Sequence, residues 1–135
     1  MKWHVKIDKY YTFKTETKVY FAPDVEPDYQ VYPKSQGVYI FHQGLLKKIW
    51  KDKENILYIG AANREPLRSR IKKNWQAKIS TLVNDEQVGI YLVYVSYCVL
   101  NPETQDYIPF LIEGTLLDKY WNKFNKLPCA NYGRR

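Results

Sequence analysis

Cysteine is scarce. Cys98 and Cys129 show neither the CxxC spacing of a zinc or redox site nor the density of a secreted disulfide scaffold. Both are expected to be reduced thiols without a chemical role. Long apolar runs are missing too: no stretch approaches the ~20 residues that span a bilayer. The leading Met1-Lys2-Trp3-His4-Val5-Lys6 alternates where a signal peptide would hold an unbroken apolar core. The expectation is a soluble, cytoplasmic protein with no membrane partner. There are no internal repeats, and acids are short, with 14 Asp and Glu against 21 Lys and Arg. The resulting net charge of +7 favours a polyanionic partner, because each cation set on a phosphate releases condensed counterions.

Aromatic residues, by contrast, are plentiful, with 13 tyrosines in 135 residues. The length suits one domain spanning 1–135. Residues 3 to 8 alternate Trp3, Val5, Ile7 against His4, Lys6, Asp8, and 13 to 21 continue in short period, so an amino-terminal β-hairpin is expected. A loop rich in proline and acid follows at 22–28. Val38–Phe41, Leu45–Trp50 and Ile56–Gly60 read as strands. From Pro66 the period lengthens: Leu67, Ile71, Trp75, Ile79 and Leu82 form one side, and Lys72, Lys73, Gln76 and Ser80 the other. That is an amphipathic helix, with Pro66 in its first turn and Asn63 a plausible cap. Residues 88–100 read as a central strand, and a second helix opens near Pro109 with Ile112, Leu116, Tyr120 and Phe124 in one stripe. The order predicts an α+β fold, a small mixed or antiparallel sheet flanked by helices, with an extra amino-terminal hairpin.

Two charged residues occupy costly positions. Arg70 and Glu113 each flank the apolar face of a helix, where an ion must find a partner or a metal. A structural Arg70–Glu113 pair is one outcome; a functional site is the other. Around them stand Gly37-Val38-Tyr39 and Tyr58-Ile59-Gly60, then Leu67-Arg68-Ser69-Arg70-Ile71, then Phe110-Leu111-Ile112-Glu113 with Lys119-Tyr120-Trp121-Asn122-Lys123-Phe124-Asn125. These ordered elements resemble the GIY-YIG nuclease superfamily, whose signature runs through a GIY-like triplet, a YIG triplet, an L-x-x-R helix and an F-x-x-E … K-Y-x-P-x-x-N segment. The likeness is to a stand-alone catalytic domain. It covers a core at 37–125, leaving a 1–36 amino-terminal extension and a basic tail at 126–135.

The resemblance implies an endodeoxyribonuclease that hydrolyses phosphodiester bonds in DNA. Glu113 would hold one Mg2+ or Mn2+, and Arg70 would grip the scissile phosphate with its planar fork of donors. Tyr39 would activate the water, Tyr58 would position it, and Asn125 would support Glu113 or cap the helix. A phenol serves as base only where cations lower its pKa from ~10. Arg64, Lys72, Lys73, Lys47 and Lys48 are the candidate DNA contacts. Ala61 stands where the family often has lysine, and Asn74-Trp75 where many members have histidine. Arg64, Lys47 or Lys48 could replace the lost cation; His42 is expected at the surface. The alternative is a catalytically impaired nucleic-acid-binding module. With little chain left to read sequence, the expectation is either weak sequence preference or specificity supplied by a partner protein or a homodimer, the oligomeric state being left open.

Overall fold

The computed structural model describes residues 2–16, 21–23, 25, 27–43, 55–90, 92–101 and 107–131. The expected strand at Leu45–Trp50, with Lys47 and Lys48, lies outside them. Alternation builds the hairpin: β1 (Lys2–Lys6) and β2 (Tyr10–Thr15) bury Trp3, Val5, Tyr11, Phe13 and Thr15 and expose the residues between. Trp3 lies opposite Phe13, and their rings stack at 4.3 Å. β3 (Gly37–Gln43) and β4 (Ile56–Ala62) are buried nearly throughout, as strands covered on both faces must be. With β5 (Val93–Val99) they complete an antiparallel five-stranded sheet in the order β1-β2-β5-β3-β4, so the fold is α+β and the hairpin extends the sheet. β5 is shorter than the expected 88–100 strand, because turns occupy 86–88 and Gly89 has φ +76°.

The long helix expected after Pro66 is three pieces in one rod: α1 (Leu67–Asn74), a π turn (Trp75–Ile79) and α2 (Ser80–Asn84). The π turn inserts a residue into the repeat, so Val83 takes the buried place assigned to Leu82, which is only partly buried. Asn63 does not cap this helix. Pro66 stands at the cap, and the N–H groups of Leu67 and Arg68 donate to the carbonyls of Ser35 and Pro33. Arg68 ties down the same strap, its guanidinium donating to the carbonyls of Tyr32 and Gln30. α3 (Ile108–Phe124) opens with a proline in its first turn.

Two cores lie on opposite faces of the sheet. Tyr39, Phe41, Tyr58 and Ala62 meet Leu67, Ile71, Trp75 and Ile79 on the first. Val38, Ile40 and Ile59 meet Ile112, Leu116, Tyr120 and the hairpin's Trp3 and Phe13 on the second. The sheet therefore separates α1 from α3. His42, expected at the surface, is wholly buried, its Nε2 2.8 Å from Ser96 Oγ. Trp3 Nε1 and Thr15 Oγ1 reach the same hydroxyl. This polar knot fastens the hairpin to β3 and β5, since a partner lost from a buried hydrogen bond costs about 1–3 kcal/mol. Among the described residues, no helix is long and apolar enough to cross a membrane.

Candidate active site

Strand register brings the tyrosines together. Tyr39 pairs with Gly60 across β3 and β4, and Phe41 with Tyr58, so all four share the first face. A Cβ at Gly60 would stand 2.6 Å from the Tyr39 hydroxyl oxygen and from Tyr58 Cε1. The absent side chain is thus the space in which the two phenols meet, at 6.0 Å between ring centroids. α1 covers them from above. Arg70, one turn into the helix and half-buried, directs its guanidinium at the Tyr39 hydroxyl.

Asn74 completes the arrangement, and sequence reasoning had noted it only as a missing histidine. It is buried, and its Nδ2 donates to both the Tyr39 hydroxyl and the Arg70 carbonyl. A carbonyl only accepts, so the amide must present its nitrogen there, and the Tyr39 oxygen is therefore an acceptor toward Asn74. The Arg70 guanidinium and the Tyr58 phenol both lie close enough to act on this oxygen. Burial pushes the Tyr39 phenol far above its usual range. Tyr58 adds to this, and Arg70 opposes it without prevailing. Tyr39 is thus a neutral hydrogen-bond donor in this state, and Arg70 alone does not make it a base.

Glu113 occupies the other layer. It is only 7% exposed and follows Ile112 on α3, whose apolar stripe packs on the second face. Both helices begin at the same end of the sheet: Leu67 abuts Gly37, and Ile108 lines a cavity with Cys98, Val99 and Leu100, the strand segment opposite Gly37. Glu113 is therefore within two turns of the end at which α1 starts. The loop between β4 and α1 holds Arg64, exposed at φ +61°, and Asn63, whose Oδ1 is buried and has no hydrogen-bond partner among the described residues.

The remaining candidates scatter. Asn125 is exposed and left-handed at φ 59°, its N–H closing α3 onto the Trp121 carbonyl, as a helix-ending asparagine does. The asparagine that reaches the sheet is Asn131. It is fully buried, and its side-chain amide both donates to and accepts from the backbone of Ile59 at 2.9 Å, sealing the outer edge of β4. Pro128-Cys129-Ala130-Asn131 has the P-x-x-N spacing, and that signal could have found it. Lys72 is exposed, its ammonium over the Tyr29 ring, and Lys73 pairs with Glu65 at 3.2 Å.

The buried phenols have a consequence for alkaline stability. Tyr32, Tyr39 and Tyr97 are raised well above the ordinary 10, first by burial, and burial and Asp8 push Tyr11 up to about 12. The folded protein keeps these protons where the unfolded chain releases them. Their stabilisation is complete below pH 10 and is lost as pH rises beyond it. Tyr32 and Tyr39, both fully buried, each remove about 1.4 kcal/mol per pH unit in that window. Urea midpoints should hold from pH 8 to 9.5 and fall steeply by pH 11; a flat profile to pH 11 would refute the assignment. No family model, curated protein or solved structure matches this chain.

Proposed function

We propose that the chain is a metal-dependent endonuclease that hydrolyses phosphodiester bonds in DNA. The observation that carries this reading is the convergence of Arg70 on the hydrogen-bonded pair Tyr39–Tyr58, held from behind by Asn74. A guanidinium beside two phenols is suited to an oxyanion. It binds phosphate oxygens in a bidentate fork, while the phenols orient the attacking water. Burial keeps the proton on Tyr39, which makes it the positioning partner. Tyr58, once it has released its own proton to solvent, would take the proton of that water as a phenolate and return to the neutral phenol.

The metal of this reading would be magnesium or manganese. Glu113 supplies one buried carboxylate, and Asn63 Oδ1 is a neutral oxygen lacking a partner on the loop before α1. Mg2+ commonly takes one or two carboxylates and completes its shell with water and substrate phosphate. When bound, it would neutralise charge developing on the phosphate. Incubation of the full chain with supercoiled plasmid should yield nicked circles with Mg2+ or Mn2+ and none with chelator. An intact plasmid under both metals would defeat the reading.

The burial of both phenols, 0% and 1% exposed, favours a second reading: a nucleic-acid-binding module on which water has no access to the tyrosines. It yields DNA binding that weakens steeply with salt and survives chelation, with no cleavage under any metal.

A further inference from the structure

We infer that Lys78 forms a second phosphate subsite in the same site, holding a phosphate about three to four nucleotides along the strand from the one gripped by Arg70. This inference rests on the proposed nuclease reading. In a regular α-helix, position i+8 stands about 80° around the axis from position i. Lys78 would then turn away from the face that carries Arg70. The π turn Trp75–Ile79 changes this, because its wider i→i+5 bonding absorbs one extra residue and cancels most of that rotation. Arg70, Asn74 and Lys78 consequently form one row above the tyrosines. Arg70 and Asn74 reach Tyr39, and the Lys78 ammonium lies 4.9 Å from the centroid of the Tyr58 ring.

The row has the dimensions of a nucleic-acid strand. Eight helical residues rise about 12 Å, and one strand of B-DNA advances about 3.4 Å per nucleotide, so the two cations on this row stand about three to four nucleotides apart along one strand. Lys78 is only half-buried, and its aliphatic stem packs while the ammonium sits at the solvent edge of the Tyr58 ring. Ala61, where the resemblance expects lysine, cannot serve this place. It alternates with Tyr58 and Gly60 along β4 and pairs with Val38, whose side chain belongs to the second core.

The test is the salt dependence of binding, measured by fluorescence anisotropy with a 20-base-pair duplex and the full chain in chelator. Lys78→Met keeps the stem over Tyr58 and removes the charge. The slope of log K against log salt should fall by about 0.9, the loss of one phosphate contact, and Lys78→Arg should restore it. A Lys78→Met slope equal to wild type, with wild-type binding intact, overturns the subsite and leaves the nuclease reading standing. Absence of wild-type binding at low salt overturns both. If Lys78→Met lowers the melting temperature, the slope of Lys78→Gln at a temperature where it is folded decides in the same way.

Discussion

On the proposed nuclease reading, replacing Arg70 with alanine should lower magnesium-dependent plasmid nicking by about 10²- to 10³-fold, the usual cost of removing one group that stabilises charge in a transition state. The melting temperature should hardly move, because Arg70 is half-buried and its loss leaves the Asn74–Tyr39 hydrogen bond in place. Arg70→Lys keeps the charge without the planar fork and should recover little of the rate. Glu113→Gln should abolish nicking to the same degree or beyond, and raising Mg2+ concentration should not rescue it, because the substitution removes the carboxylate charge that would hold the cation. The two variants test different halves of the site. Arg70→Ala should weaken DNA binding in chelator, whereas Glu113→Gln should leave such binding intact. Nicking rates within threefold of wild type for either variant would remove that residue from the mechanism.

Gly37→Ala should unfold the protein or cost at least about 3 kcal/mol, at the upper end of what overpacking exacts. A Cβ there would sit 2.0 Å from the Cys98 carbonyl oxygen and 2.9 Å from Leu67 Cδ1. That carbonyl belongs to β5, which β3 pairs along its whole length, so relief requires parting two central strands. Gly60→Ala meets side chains instead, the two phenols at 2.6 Å. It should disturb activity more than stability. Gly114 is the control: a Cβ there meets nothing within 4 Å, and alanine inside α3 should stabilise by about 0.5–1 kcal/mol. Urea denaturation of the three variants orders them, and Gly37→Ala folding as stably as Gly114→Ala would contradict the packing.

These glycines show how far the triplets could be understood before the fold was known. Their positions in Gly37-Val38-Tyr39 and Tyr58-Ile59-Gly60 were plain, but the reasons differ and neither is local. Gly37 makes room for a neighbouring strand and a helix; Gly60 makes room for tyrosines from its own strand and the next. Arg70 was legible as a residue leaning on the sheet, because one helix repeat sufficed to place it beside Leu67 and Ile71. Glu113 was legible as a buried carboxylate for the same reason. Asn74 and Lys78 were not: the first appeared as a substitution, and the second lies within a π turn that no apolar period announces. His42 was misplaced because the residues that bury it, Trp3, Thr15 and Ser96, come from three other strands.

By itself, then, the sequence determined the elements and their inner and outer sides: an alternating hairpin, apolar strands, two helices, and a positive surface with one arginine and one glutamate set against apolar faces. Period and composition are local quantities, and they settle local questions. The tertiary structure alone decided which faces meet. Cross-strand register put Tyr39, Tyr58 and Gly60 on one side, the π turn rephased the helix so that Arg70, Asn74 and Lys78 overlie them, and the sheet came between that row and Glu113. Register and helical phase are set by hydrogen bonds between distant segments and by the packing those bonds permit. The pattern within any one segment does not encode them.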